Sequence, residues 1–491
     1  MSEETNTAVE EYREAKANGH TSNDLPKGGT GIYTGRTVLT TTSETITRDN
    51  LLIELQNIQS DFSTNQGQIQ YLYNYYNGKQ PITGRTKDVR PDICNNVVVN
   101  RASEIVDFKV GYLCGEPIQY VARNSSPDIS LKISRLNEMM YSEDKASKDR
   151  GVIEWSMICG TAYRLVLPDS FYDRKMSDAD DAPFEIDTLD PRDTFVVYSR
   201  NFKHEPKFAG TSYKDNLGNP IWEVYTDRAY FKVIAGKIVE ERPHALGYVP
   251  IFEYPANPAR TGAFEKVLPL LDAINTVVSN RVDGVEQFVQ AFIKFVNCDI
   301  DSDEYDEFLS KGAIKVKSTD GSKADVDLVT KELNQEQTQT LVEDLYQTVL
   351  TICGIPDRNG TGASDTGLAV MLRDGWSLAE ARAKASELMF KESERAMLRL
   401  ALKLTNEMSG LGLKIKDIAM QFTRRNYENI QSKAQVLDLM LKNDKIHPLL
   451  AFTHCGMFSD PEDAYNISKD YYDENQLKAI TNESEPNPLA S

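Results

Sequence analysis

Apolar positions in the middle of the chain recur at helical intervals. Val267, Leu271, Ile274 and Val278 are spaced by four, three and four residues, and the pattern resumes at Val282, Val285, Val289, Phe292 and Val296. One four-residue stutter, between Val278 and Val282, locally unwinds an otherwise coiled-coil-like seam. A helix from Gly262 to Val296 would run roughly 50 Å at 1.5 Å per residue, long beside a typical helix of about 11 residues. Pro269 is comfortable only in a first turn, so the regular helix is expected to start just before it. A short charged insertion, a second helix, a loop rich in Gly and Thr and a third helix of about forty residues follow. This order suits a protruding or ring-lining element better than an enzyme pocket.

The flanking segments read differently. Residues 1–46 begin acidic and turn rich in Thr and Gly, which predicts a mobile or extended arm. Order is expected from Asp49 or Asn50, a plausible N-cap for the helix carrying Leu51, Leu52, Leu55 and Ile58. A second amphipathic stretch ends at Tyr75-Tyr76-Asn77-Gly78-Lys79, where Gly stops it. Another helix is predicted over 97–113, then a strand at Ile118–Val121. A buried helix within 150–165 breaks at Gly160 before a strand at 163–166. From Glu185 to Tyr254 the texture is β, with strands at Thr194–Tyr198, Trp222–Tyr225 and Tyr230–Ile234. Residues 50–260 therefore read as an α+β domain, and 410–480 as one strand, Ile418–Phe422, followed by short helices.

Composition narrows the partners. The 491 residues allow two to four domains. Lys and Arg number 55 against 74 Asp and Glu, a formal charge of −19. A protein that grips nucleic acid by neutralising phosphates carries a basic field, so any meeting with DNA here is not a tight hold. No apolar run approaches the roughly 18 residues of a membrane span, and MSEETNTAVEEYREA lacks a signal-peptide layout. A soluble chain made in a cytoplasm, with no membrane partner, is expected. The six cysteines are too far apart for zinc or redox pairs and read as reduced, buried thiols.

Several near-motifs fail on spacing. Gly31-Ile32-Tyr33-Thr34-Gly35-Arg36 has one residue too few between its glycines for a phosphate loop and no Lys. Gly362-Ala363-Ser364-Asp365-Thr366-Gly367 has one residue too many for a nucleophile elbow. Asp299, Asp301 and Asp303 open like a calcium loop, but Glu304 stands where Gly is required and Ser310 where Glu is. The scattered histidines support neither a metal nor an acid–base site. No enzyme, catalytic residue, metal or cofactor is expected. Lys391, Arg395, Arg399 and Lys403 fall at successive i+4 positions and form a basic column. It is open to three readings: a solvated stripe, contact with a neighbouring subunit, or contact with nucleic acid.

In order, the motifs resemble those of tailed-bacteriophage portal proteins, the type found in long-tailed phages of Gram-positive hosts. Tyr75–Lys79 and Asp107–Tyr120 are similar to the wing of that family, as are Gly160–Tyr163, Asp190-Pro191-Arg192 and Val249–Tyr254. Gly262–Val267 and Leu271–Asn275 resemble its stem helix. Gly354–Asp357 and Thr366–Ala369 resemble its tunnel loop and the helix behind it, and Phe422–Asn426 a strand near its crown. The resemblance covers roughly 65–470. The long N-terminal arm and Arg373-Asp374-Gly375-Trp376 depart from the pattern.

The resemblance implies an α+β, portal-type subunit. Its parts would be an arm (1–48), a wing (49–262), stem helix one (263–296), a clip (297–329), stem helix two (330–353), a tunnel loop (354–366), a long kinked helix (367–409), a mainly helical crown (410–480) and a tail (481–491). Such subunits form rings of about twelve by closing heterologous contacts. A ring of this kind sits at one capsid vertex and passes double-stranded DNA. Its partners would be the terminase large subunit, the major capsid and scaffolding proteins and a head-completion adaptor. In the tunnel loop, Arg358, Asn359, Gly360, Thr361, Gly362, Ser364 and Thr366 would meet DNA. Gly375, a poor helix former, would kink the helix behind the loop. Asp301, Asp303, Lys315 and Lys317 would lie in the clip where the motor docks. A coiled-coil scaffold and a metal-dependent nuclease are the alternatives.

Overall fold

The computed structural model describes residues 34–483, except 89, 124–126, 169–181, 290–291, 297, 300–316, 319–324, 330–334, 358–374, 424–429 and 459–460. Strand β1 (Leu39–Thr41) is followed by helix α1 (Arg48–Tyr76), α2 (Arg101–Leu113), β2 (Gln119–Ala122), α3 (Pro127–Ser142) and α4 (Lys145–Cys159). Eight strands come next: β3 (Thr161–Pro168), β4 (Phe184–Leu189), β5 (Thr194–Ser199), β6 (Pro206–Lys214), β7 (Pro220–Tyr225), β8 (Ala229–Ile234), β9 (Lys237–Pro243) and β10 (Ile251–Pro255). The middle of the chain holds α5 (Leu268–Val289), β11 (Phe292–Val296), β12 (Cys298–Asp299), β13 (Lys317–Ser318), β14 (Asp325–Val329) and α6 (Gln335–Cys353). Helix α7 (Trp376–Ser409), β15 (Ile418–Gln421), α8 (Ile430–Leu441), α9 (Pro448–Cys455) and α10 (Pro461–Glu483) complete it. Two compact units result. One comprises Met1–Asn77, Ala102–Lys266 and Cys353–Ser491, the other Gly78–Arg101 and Val267–Ile352.

In the first unit, six strands in the order β1-β5-β6-β7-β8-β9 form one sheet, antiparallel except where β1 joins β5 in parallel. Helix α1 covers it. Leu51, Leu55, Ile58 and Phe62 recur at helical spacing and bury against Phe195, Val197, Phe208, Val224, Phe231 and Val233. The strand residues alternate, so one sheet face supplies the core. Order begins earlier than the sequence suggests, because β1 is already a strand of this sheet and Arg36 is buried. The helix also starts one turn ahead, with Thr47 as N-cap; the Thr47 N–H donates to Asn50 Oδ1 at 2.8 Å. The two predicted amphipathic stretches are one helix.

A three-stranded sheet, β10-β3-β4, packs on α4. Gly160 ends α4 with φ +85°, and a Cβ there would lie 2.0 Å from the Arg260 carbonyl oxygen, so only glycine fits. β2 pairs with β15 across almost three hundred residues of chain. At the centre stand four buried charges. Arg164 on β3 reaches Asp149 on α4 at 2.6 Å and Glu394 on α7 at 3.0 Å; Lys145 on α4 reaches the same two carboxylates at 2.5 and 2.9 Å. The Tyr120 and Tyr254 hydroxyls each donate to Glu394 at 2.5 Å. Burial opposes the Glu394 charge, yet Lys145 and Arg164 outweigh it and hold the carboxyl at about 2.

A second buried pair joins Arg36 to Glu265, and the Gly262 N–H donates to Glu265 at 2.7 Å. Here burial wins over the pull of Arg36 and pushes the carboxyl up to about 7.

The second unit departs from the periodicity argument. α5 starts at Leu268, with Pro269 in its first turn as expected, but it stops at Val289. Phe292–Val296 is a strand paired antiparallel with β14, and β12 pairs with β13 inside it. Phe292 and Val296 fit a helical seam by count, but the aromatic and β-branched run Phe292-Ile293-Lys294-Phe295-Val296 prefers a pleated surface.

Two stability measurements check these pairs. Glu394→Gln leaves two buried cations facing one carboxylate and is expected to cost about 3–5 kcal/mol in denaturant unfolding. Glu265 keeps its proton in the fold up to about 7 and, unfolded, loses it near 4.5. The unfolded chain therefore binds fewer protons in that window, and stability should fall as pH rises through it. Glu265→Gln should flatten that slope.

Candidate functional site

The second unit carries the helix on which the periodic reading rests, and its polarity is reversed along its length. Val267, Leu271 and Ile274 are buried, as the seam requires. From Asn275 onward the buried positions are polar: Asn275, Ser279 and Asp283, again at i+4 spacing. They hold the extended segment before α2. The Val99 N–H donates to Asn275 Oδ1 at 2.8 Å, the Val97 N–H to Ser279 Oγ at 3.0 Å and the Asn95 N–H to Asp283 Oδ1 at 2.6 Å. Asp283 also pairs with Lys87 and, at 3.1 Å, with Arg85. Against the cost of burial, Lys87 and the Asn95 donors hold its carboxyl at about 2.

That ladder turns the second half of the apolar seam outward. Val282 is 39% exposed and Val285 50%. On α6, Leu341 and Ile352 are exposed too, while Val349 and Leu350 are buried. Val285 is thus not covered within the subunit. The signal was present: a row of polar residues at i+4 steps running beside the valines.

Of the residues expected to meet DNA, Arg358, Asn359, Gly360, Thr361, Gly362, Ser364 and Thr366 lie outside the described residues, as do Asp301, Asp303 and Lys315. Lys317 opens β13. Both flanks of the loop are described. On one side the Cys353 thiol donates to the Ala263 carbonyl at 3.7 Å, and Arg382 lies against Gly354. On the other, Trp376 packs on Phe108 and Tyr112 of α2 with ring centroids 6.1 and 6.0 Å apart, and the Tyr112 hydroxyl donates to Glu380 at 2.9 Å. Gly375 is not inside a helix. It is the N-cap of α7, with φ +82°, and the stretch 367–374 of the expected kinked helix lies outside the described residues.

The basic column is not uniform. Lys391 is partly buried, pairs with Glu387 at 3.2 Å and sits 5.1 Å from the Phe422 ring centroid. Burial first, and Arg395 second, lower its pKa. Lys403 donates to the carbonyls of Ala245 and Leu246, both at 2.9 Å. Of the four, only Arg395 and Arg399 are exposed. Sequence reasoning missed the Glu394 cluster one face away. Its trace was Arg164 inside the apolar run Thr161–Pro168.

Among the described residues no group of His, Cys, Asp and Glu is placed to hold a metal ion, and no helix is long and apolar enough to cross a membrane. With this geometry in place, comparison with known proteins gives one result. The family model for phage portal protein, SPP1 Gp6-like, matches residues 55–486. No curated protein matches the chain.

Val285→Asp checks the reversed face. In the isolated subunit it should change stability by no more than about 0.5 kcal/mol, as surface changes do. In self-association, measured by sedimentation, it should weaken assembly strongly, since a buried interface does not accept an unpaired charge.

Proposed function

The chain belongs to the phage portal protein family, SPP1 Gp6-like, and on that footing we propose that it assembles as the portal of a tailed phage. About twelve subunits close through heterologous contacts into a ring at one capsid vertex. The ring is the conduit for double-stranded DNA during packaging and ejection. It works within the virion after assembly in the host cytoplasm, among major capsid and scaffolding proteins. The terminase large subunit and later a head-completion adaptor dock on the clip, where an acidic block with Asp301 and Asp303 precedes a basic block with Lys315 and Lys317, and the two blocks suit side-by-side pairing.

The observation that carries this reading is the exposed valine face of α5. A helix that spends its buried face on polar bonds and leaves Val282 and Val285 to solvent is built to be covered by another copy. The formal charge of −19 agrees with a conduit, since a polyanion must slide through and not be held. The coiled-coil scaffold loses ground for a related reason: the seam it relied on ends at Val289.

Native mass measurement at assembly concentrations should give a closed ring; monomers or dimers alone would refute the proposal. Deleting Thr361 and Gly362 should leave ring mass unchanged and stop DNA packaging in a reconstituted assay. Normal packaging by that deletion would reduce the loop to a connector.

A further inference from the structure

Helix α2 turns one face to the core through Ala102, Ile105, Val106, Val110 and Leu113. Lys109 stands four residues from both Ile105 and Leu113, so a lysine occupies that apolar face. On α7, Ser386 stands three residues from buried Ala383 and four from buried Phe390, again a polar residue on a buried face. Lys109, Arg382 and Ser386 line one cavity of about 30 Å³, with Leu113, Met157 and Ala383 as its apolar floor. A single water needs about 10–15 Å³ by this measure. The space therefore suits a small oxyanion and not a bulky ligand.

The cavity holds positive charge without an anion to answer it. Among the described residues Lys109 has no hydrogen bond and no ion pair. Burial lowers its pKa, the Cys353 thiol favours its charge and Arg382 opposes it. Cys353 is no counter-ion at neutral pH, because burial pushes its thiol up to about 11 and keeps it protonated. The acids flanking Arg382 and Ser386 on α7 are engaged elsewhere. Glu380 accepts from Tyr112 at 2.9 Å and pairs with Lys384 at 3.4 Å, and Glu387 pairs with Lys391 at 3.2 Å. Helix α6 ends at Cys353, and its dipole brings only about half a negative charge to that end.

An ammonium taken from water without a counter-charge is costly, and an anion in the cavity would relieve it. A terminal phosphate carries about −1.5 to −2 at neutral pH, which matches a lysine and an arginine better than a carboxylate does. The planar donor fork of Arg382 suits phosphate oxygens. We propose that this cavity is a site for a terminal phosphate, free or as a monoester, held by Lys109 and Arg382 with the Ser386 hydroxyl as a further donor. Gly354 lines the same cavity, so a bound phosphate would brace the point where the chain leaves α6. Every lining residue belongs to the first unit, and the site stands whether or not the conduit reading does.

Lysine acylation of the full-length chain near neutral pH, read by mass spectrometry, tests it. Saturating inorganic phosphate should slow labelling of Lys109 about fivefold against chloride at equal ionic strength. Cover by the ion and a favoured ammonium, the unreactive form, both act in that direction. Exposed Lys384 should change less than about twofold, since ionic strength is matched. Arg382→Gln, at an exposed position whose fold circular dichroism checks, should abolish the protection. A nucleoside monophosphate in place of the ion separates the sources. Protection by both assigns a monoester and protection by phosphate alone the free ion; either supports the site. No protection by either, equal protection by acetate, or protection that survives Arg382→Gln overturns it.

Discussion

The four-charge cluster of Arg164, Asp149, Lys145 and Glu394 fixes the first unit. Each of these ions is expensive to bury alone, and well-packed apolar residues would often stabilise a core as well. What the cluster supplies is uniqueness. Two cations and two anions cancel, and each carboxylate oxygen has a named donor at 2.5–3.0 Å. Sliding α7 by one turn would bring Phe390 or Leu398, apolar side chains and not Glu394, to the guanidinium of Arg164. The cluster therefore sets the register between a helix late in the chain and two sheets and a helix from its first half. Tyr120 extends the tie to β2, whose partner β15 follows α7 in sequence.

The second unit solves the opposite problem. Its extended segment before α2 has no strand partner among the described residues, yet its backbone N–H groups must be bonded when covered. Asn275, Ser279 and Asp283 supply acceptors at i+4 steps along α5, a helix face used as one edge of a ladder. That use fixes which face of α5 points inward. The valines then have nowhere to go but out, and an assembly that covers them gains the apolar burial the subunit forgoes. Folding of the subunit and its appetite for a neighbour follow from one choice of buried face.

How far the sequence was legible tracks how local each determinant is. The α1 stripe, the β texture from Thr194 to Ile234, the stop at Gly160 and the first turn at Pro269 were readable, because each depends on residues within a few positions. α3, β4, β6 and β9 went unread. The exchange of α5 for a strand at Phe292 was missed because apolar residues at three- and four-residue steps satisfy a helical count even when β-branched and aromatic side chains favour a sheet. Periodicity finds an apolar face but not what covers it. The Arg164–Glu394 tie spans 230 positions, and no window of sequence contains both ends.

The flanks of the loop after Gly354 constrain how that region can act. Its first residues are held by Cys353 against Ala263, and its far end by Trp376 on Phe108 and Tyr112, so both ends rest in one unit and the far one on α2. Further along α7, Glu394 is locked into the charge cluster five turns from Trp376. Swinging the whole helix to move the loop would break an aromatic contact and unpair buried ions in one step, at a cost of several kcal/mol. Gly375, in a left-handed conformation, stands just ahead of the first turn of α7. It is the corner at which a fixed rod begins. Trp376 and Glu394 thus anchor α7 at two points along its length.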